Sequence, residues 1–493
     1  MASKARQSLD APPVSRIKSS ASTVSALNYP HGHLNSLNDQ QEEALQKFKA
    51  VLEERGVWKR GPPPSHNDQT LLQDEYTTNA ARNALSRYLR ARRWIVEDAF
   101  TQFKETEDWR AANELDLLYE TIDLDAYEES RRLYPQWTGR RDRRGIPLYV
   151  FEIRTLDNKT VANYEKNGAK SSFSKAKSDG KTPPGLMRLF ALYENLTRFS
   201  QPFATQLTDR DSPDIPITLS TNIVDVAGVG LKQFWNLKAH MQAASQLATA
   251  HYPETLDRIF IIGAPFFFST VWGWIKRWFD PITVSKIFIL APHEVLPTLE
   301  SFIERRNIPK KYGGDLDYTF GQLGIPDPAW DGVVAWENGY SSFPSGPMIW
   351  EDVADPAGGG AQPERLQCVA LGYKDGRPRR EVVCTIPRTW SPPGSEAKPT
   401  TTTTTTTRNG ASADAGGVAV PVEDKDAAAA AAAAASNVEQ QATEQKSPES
   451  FRTADTQVDT QVDNSADAME KLAIDEKKTA TAEATPAVAQ TAV

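Results

Sequence analysis

Between Arg258 and Leu290 the chain reads RIFIIGAPFFFSTVWGWIKRWFDPITVSKIFIL, two β-branched runs bracketing an aromatic segment. Ile259–Ile262 and Ile287–Leu290 are short and uninterrupted, the pattern of strands covered on both faces in a parallel sheet. Parallel neighbours need a crossover. Ser269–Phe279 supplies one as a helix, with Asp280-Pro281 as its stop. At helical spacing Val271, Ile275 and Trp278 share one face, Trp272 and Phe279 fall on a second, and Trp274 on a third. The crossover is therefore apolar nearly all round.

No residue from Ile259 to Ile275 is charged, which raises the question of a membrane span of about 17 to 25 residues. Gly263-Ala264-Pro265 breaks that run and Lys276-Arg277 closes it, and strand-helix-strand accounts for both interruptions. Two readings of the helix remain, a buried core element or a lid that touches membrane. Tryptophans beside two adjacent cations are the composition of an interfacial helix on anionic lipid.

A chain of 493 residues can hold two or three domains and a core that needs no disulfides. Cys368 and Cys384 are its two cysteines. The start, MASKARQSLDAPPVSRIKSS, lacks an apolar stretch and is expected to be neither secretory signal nor anchor, so a reducing, cytosolic setting is expected. Residues 391–493 hold 8 Lys and Arg against 16 Asp and Glu, a deficit equal to the whole net charge of -8. That tail, with Thr400–Thr407 and Ala427–Ala435, carries too little large apolar surface to offset ordering entropy and reads as a solvated, acidic tether.

The remainder divides by pattern. Residues 1–31 read as disordered. Residues 32–112 form a helical subdomain: Leu37–Gly56 is one amphipathic helix that Asn38 caps with Gln41, with a Pro-rich linker, Gly61–Ser65, behind it. Asn79–Arg92 and Val96–Arg110 then pair through Leu85, Leu89, Phe100 and Phe103. Residues 113–314 alternate strand and helix: Pro147–Ile153 as first strand, Leu186–Phe199 a helix, Ile217–Val226 the second strand, Leu231–His251 a crossover helix. Arg154–Pro184 reads as a loop insertion. In 315–390 the Trp-rich run Asp315–Trp350 lacks periodicity, and Leu366–Leu371 and Glu381–Ile386 flank Lys374-Asp375-Gly376 as a hairpin that sets Cys368 opposite Cys384. The fold class is α/β with a helical N-terminal subdomain, a mostly parallel sheet and a disordered tail.

None of His31, His33, His66, His240, His251 or His293 stands at zinc-ligand spacing, and no hydrolase elbow, phosphate loop or phosphatase signature is present. No metal, cofactor or catalytic residue is expected. Gly228-x-Gly230 reads as an ordinary strand-to-helix turn. Arginines cluster at Arg87–Arg93, Arg131-Arg132 and Arg140–Arg144, but the folded part is near neutral, so solvated faces or phosphate contacts are expected in place of nucleic acid.

From about Gly32 to Gly314 the chain resembles the CRAL-TRIO family, in particular the fungal phosphatidylinositol/phosphatidylcholine transfer proteins. The matching residues are GHLNSLNDQQEEALQKFK, LRARRW, Tyr134-Pro135, HYPETLDRIFIIGAPFFFSTVW, FDPITVSKIFIL and IPKKYGG. The resemblance implies a sheet flooring a phospholipid cavity, gated by the Ser269–Phe279 helix. By position, Arg92, Glu254, Thr283 and Lys286 resemble the inositol phosphate site, for which cationic and hydroxyl donors and a carboxylate toward inositol hydroxyls are apt. An ion pair of Lys286 with Glu254 is the competing reading. Tyr149, Tyr193 and Ser220 resemble the choline site, with Trp137 as a cage wall. That half departs from the family at Asn222, where a hydroxyl residue is usual, at Trp137, where a tyrosine is, and at Thr255, where an arginine normally follows the acid.

The resemblance thus implies a non-enzymatic carrier of phosphatidylinositol and, subject to those departures, phosphatidylcholine. It would act as a monomer, cytoplasmic and transiently at Golgi and endosomal membranes, supporting phosphoinositide synthesis and vesicle traffic. A static lipid sensor that recruits a partner through its tail is the alternative.

Overall fold

The computed structural model describes residues 29–57, 80–170, 172–278, 281–353 and 364–390. The readings of most of segment 1–31, the linker at 61–65, Phe279, Asp280 and the tail from 391 lie outside the described residues, as do the side chains of Trp274, Ile275 and Trp278.

Helix α1 (Asp39–Glu54) starts at Asn38, whose side chain accepts from the Gln41 amide at 2.9 Å while Gln41 Oε1 accepts from the Asn38 amide at 3.1 Å. Its stripe of Leu45, Phe48 and Leu52 packs on Leu85, Tyr88 and Leu89 of α2 (Ala80–Ala91) and on Ala99 and Phe103 of α3 (Val96–Ala112). Two helices not anticipated from the sequence follow, α4 (Leu115–Thr121) and α5 (Leu124–Leu133).

The main sheet is β1 (Gln136–Arg141), β2 (Pro147–Glu152), β3 (Ser220–Asp225), β4 (Leu256–Ile262) and β5 (Ile287–Ile289), in that spatial order. Only β1 is antiparallel to its neighbour. The strand at Pro147 is therefore second, not first; QWTGRR has no β-branched run to announce the strand before it. The expected loop insertion contains a helix, α6 (Asn158–Lys170), capped by Asp157, which accepts from the Thr160 amide at 2.7 Å. Its inward contacts are Val161 and Tyr164, too short a stripe to show as periodicity. The helix expected to run to Phe199 is α7 (Pro184–Asn195), then a π turn (Leu196–Ser200), then α8 (Gln201–Thr205). Helix α9 (Leu231–His251) crosses from β3 to β4, and α10 (Phe268–Ile275) continues as a 3₁₀ turn to Trp278. Then come α11 (Pro281–Ser285) before β5 and α12 (Val295–Phe302) after it.

The sheet has two apolar faces with different fates. Leu148, Val150, Ile223, Phe260 and Ile262 are buried against Leu299 of α12 and against Ile303, Ile308, Tyr312 and Leu316. On the opposite face the register lines up Tyr149, Asn222, Ile259 and Ile287 in one row and Phe151, Val224, Ile261 and Ile289 in the next. All of these except Ile261 keep substantial exposure, Ile289 as much as 39%. Helix α9 likewise buries only Leu231, Phe234 and Leu237, near its start.

Residues 315–390 are part of the same body. The strands β6 (Ala335–Trp336), β7 (Met348–Asp352), β8 (Arg365–Ala370) and β11 (Glu381–Pro387) form a second, antiparallel sheet in the order β6-β11-β8-β7. The short arms β9 (Tyr373–Lys374) and β10 (Arg377–Pro378) close around Asp375 and Gly376, both at positive φ (52° and 73°), as a type I′ turn requires. Cys368 lies directly opposite Cys384, both buried free thiols. This sheet packs Trp350, Trp330 and Phe343 on Phe199 and Phe203, and Trp350 Nε1 donates to the Phe199 carbonyl at 3.1 Å. That carbonyl belongs to the π turn, where the regular helical bonding pattern is interrupted.

A buried ionic network ties the walls together. Arg110 donates to Glu194 (2.7 Å) and Asp116 (2.8 Å), Arg198 Nε stands 2.7 Å from Glu194, and the Tyr252 hydroxyl also donates to Glu194. Burial opposes ionisation of Glu194, but Arg110 and Arg198 outweigh it and hold the carboxyl down at about 2. An unfolded glutamate takes its proton near 4.5, before the folded one does, so this stability is complete above 4.5 and drains away as pH falls toward about 2. Glu194→Gln leaves buried guanidinium charge uncompensated and should cost about 3–5 kcal/mol in urea unfolding at pH 7, with a shallower acid limb. Phe260→Ala should cost about 3–5 kcal/mol, whereas its neighbour Ile259→Ala, on the open face, should cost about 1 kcal/mol; equal costs would mean that both faces are packed.

Candidate functional site

Charged and hydroxyl side chains gather where β3, β4 and β5 begin. Lys286 stands one residue before β5, its carbonyl already accepting from the Ile259 amide at 3.0 Å, so its side chain leaves from the rim of the sheet. Its Nζ donates to Glu254 Oε2 at 3.2 Å and to the Leu256 carbonyl at 3.0 Å. Glu254 sits in the turn after α9 at φ +53°, a left-handed conformation uncommon for a residue with a side chain. Thr283 lies on α11, and its carbonyl accepts from the Lys286 amide at 3.1 Å. Three of the four residues chosen by resemblance thus adjoin, and Lys286 and Glu254 are paired with each other.

Arg92 points elsewhere. It is exposed, and its Nε donates to Gln102 Oε1 at 3.0 Å, while Gln102 holds the Thr249 and Ala250 carbonyls at the end of α9. The arginine within electrostatic reach of Glu254 is Arg90, which the sequence did not single out from its cluster. Its Nη1 donates to the Gly32 carbonyl (3.1 Å) and Ser86 Oγ (3.2 Å), its Nη2 to Thr218 Oγ1 (3.3 Å). Burial lowers its pKa to about 10, with the Glu254 charge opposing that shift. Arg90 Nε is shut off from solvent and has no partner among the described residues.

The aromatic residues surround the next stretch of sheet. Tyr193 stacks on Tyr252 with ring centroids 4.9 Å apart, and burial pushes its hydroxyl up to about 12. Thr255 Oγ1 donates to the Tyr252 carbonyl at 3.0 Å, Ser220 Oγ to the Thr255 carbonyl at 3.1 Å, and Asn222 Nδ2 to Ser220 Oγ at 3.1 Å. Tyr149, opposite Asn222 in the sheet, shares a 2.8 Å hydrogen bond with Ser200. Trp137 lies opposite Tyr149 on β1, but its ring meets Phe199 and Phe203 edge-on at 5.5 and 6.1 Å. It is a wall shared with residues 315–390. Tyr252 was not legible beforehand, because a lone Tyr after a helix carries no pattern.

Helix α10 stands at the end of β4. Phe267, Phe268 and Val271 are buried, Trp272 is half-buried and stacks on Phe268 at 6.5 Å, and Phe266 is 75% exposed. Lys276 and Arg277 are exposed beside it. Among the described residues no helix is long and apolar enough to cross a membrane, and no His, Cys, Asp and Glu cluster could hold a metal ion. A separate groove of about 540 Å³ runs between α6, α7 and α9 past His240, and none of the residues chosen by resemblance lines it.

Residues 44–105 match the CRAL/TRIO N-terminal domain and residues 131–314 the CRAL/TRIO domain. The SEC14 cytosolic factor of Eremothecium gossypii is 27% identical over 294 residues, which span 60% of this chain and 82% of that protein. The Sec14 cytosolic factor of Schizosaccharomyces pombe is 28% identical over 58% of this chain and 87% of its own. A phosphatidylinositol/phosphatidylcholine transfer protein of Arabidopsis thaliana, SFH7, is 27% identical over 57% of this chain and 44% of its own length. With both matches in order, and a helical subdomain leading into a mostly parallel sheet, residues 44–314 carry a CRAL/TRIO N-terminal domain followed by a CRAL/TRIO domain.

Proposed function

We propose that this protein carries a glycerophospholipid, phosphatidylinositol first and phosphatidylcholine second, with its acyl chains over the open sheet face and the inositol phosphate headgroup at the rim formed by Lys286, Glu254 and Thr283, the choline headgroup lying instead by Tyr149, Tyr193 and Ser220. The observation that carries this reading is the sheet's second apolar face, which stays partly exposed while the first packs on α12 and the segment after it. Two acyl chains of roughly thirty methylenes, at about 0.8 kcal/mol each, resist leaving a bilayer by more than ~20 kcal/mol, and only an apolar surface of matching extent offsets that. The name of the plant relative, a phosphatidylinositol/phosphatidylcholine transfer protein, agrees with this ligand class.

Membrane contact belongs to α10. Phe266 offers an apolar ring to the bilayer interface and Lys276 and Arg277 offer charge to anionic headgroups. Contact opens the helix, a lipid exchanges, and closure releases the complex. The protein works without chemistry on its cargo and with no cofactor besides the phospholipid, as a cytoplasmic monomer that visits Golgi and endosomal membranes. Lipid delivered there would feed phosphoinositide synthesis and vesicle traffic.

Native mass spectrometry of the purified chain should show one co-bound phospholipid. Vesicle-to-vesicle transfer of labelled phosphatidylinositol separates a carrier from a static sensor, which would hold lipid without moving it. Seating Phe266 in a bilayer is worth about 1.5–3 kcal/mol, so Phe266→Ser with Trp272→Ala should slow transfer at least about tenfold. Lys286→Ala should lose phosphatidylinositol and keep phosphatidylcholine; loss of both, or of neither, would place the headgroup elsewhere.

A further inference from the structure

The second sheet touches the open face of the first through a single turn of chain. Pro202, in the first turn of α8, has no amide hydrogen to return to the turn before it, and the helix there widens to π spacing, with the Gln201 amide donating to the Leu196 carbonyl. One side of that turn is held by residues 315–390. Trp350 is 1% exposed, stacks on Phe203 at 5.2 Å and gives its Nε1 hydrogen to the Phe199 carbonyl at 3.1 Å. That carbonyl belongs to the peptide group leading into Ser200, so the bond fixes where Ser200 stands.

The other side is held by the main sheet. Ser200 is fully buried and donates its one hydrogen to the Leu196 carbonyl at 3.2 Å, so at 2.8 Å its oxygen accepts from the Tyr149 hydroxyl. Tyr149 thereby turns its hydrogen toward the wall and leaves its oxygen lone pairs and ring to the open face. Its partner on β1, Trp137, packs on Phe199, Phe203 and Phe343, the last from the same C-terminal segment as Trp350. One aromatic block therefore sets both flanks of Tyr149.

We propose that Trp350 is a positioning residue for lipid selection: through the Phe199 peptide and Ser200 it holds the Tyr149 hydroxyl in the orientation that receives a quaternary ammonium. Residues 315–390, beyond the stretch that matches the CRAL/TRIO domain, then set how the floor tells choline lipid from inositol lipid. The inference rests on the choline placement proposed above and deepens it. A quaternary ammonium has no hydrogen to give and is drawn to ring faces and oxygen lone pairs, and a phenol hydrogen aimed at it repels it. Spending that hydrogen on Ser200 removes the repulsion. Lys286 stands at β5, three strands from Tyr149 on β2, so the inositol phosphate does not feel this turn.

The test loads the full chain from vesicles holding equal amounts of phosphatidylcholine and phosphatidylinositol and reads the ratio taken up. Trp350→Phe keeps a ring on Phe203 and removes the donor, and Ser200→Ala removes the acceptor at the other end. Each should lower the choline-to-inositol ratio about three- to tenfold, the size of one hydrogen bond, and Trp350→Phe should change nothing further in a Ser200→Ala background. With tyrosine labelled, the Tyr149 ring resonances should move in the folded Trp350→Phe protein. Stationary resonances, proportional loss of both lipids, or full additivity of the two substitutions would mean that Trp350 only supports the fold, which overturns the inference. An unchanged ratio in Ser200→Ala while Tyr193→Ala lowers it also overturns it and leaves the choline placement standing. An unchanged ratio in Tyr193→Ala as well overturns the choline placement, and this inference with it.

Discussion

Everything in this protein answers to a parallel sheet with apolar side chains on both faces and a packed core on only one of them. Hydrophobic attraction alone would draw α9 and α10 down onto Tyr149, Val224, Ile259 and Ile287. What resists is anchorage outside that face. Glu194 binds α7 to α3 through Arg110 and to the turn after α9 through Tyr252. On the other flank the second sheet holds the π turn by Trp350, and Trp330, ahead of that sheet, stacks on Phe203 of α8 with centroids 4.0 Å apart. Residues 315–390 are thus a buttress of the lobe. Trp390 extends the same role to the N-terminal subdomain, where it joins the core of Phe48 and Phe103.

Legibility in the sequence followed periodicity and burial. The runs at β4 and β5, the α9 crossover and the Asn38 capping box were readable because each rests on local chemistry that recurs at fixed spacing. Strand β1 was not, since its pairing with β2 is decided by the partner and QWTGRR has no strand character of its own. Helix α6 was hidden among Lys, Asn and Gly, because two inward residues suffice once Tyr164 can bond Ser130 and the Gly185 carbonyl. In 315–350 Trp330 and Phe343 pack from a 3₁₀ turn and a loop, and Trp336 and Trp350 from strands of two and five residues, too short for a period to be read.

The rim around Lys286 shows the same division. Lys286 and Glu254 could be placed by motif, and the structure puts them together. Arg92 and Arg90 could not be told apart in LRARRW, because two residues apart on the last turn of a helix they point to opposite sides and only the packing decides which side meets the sheet. Arg90 reaches Thr218 ahead of β3, and Arg92 reaches Gln102 on α3.

That rim carries its own share of strain and unmet polarity: Glu254 holds left-handed backbone, at a cost on the order of 1–3 kcal/mol, and Arg90 Nε is buried with no partner among the described residues. Beyond them lies an apolar floor that costs about 25 cal/mol for every Å² in contact with water. On the proposed function, a polyol phosphate joined to two hydrocarbon chains would cover this floor and answer the polarity of the rim, and replacing one lipid by another would expose less of both than a passage through a lipid-free form.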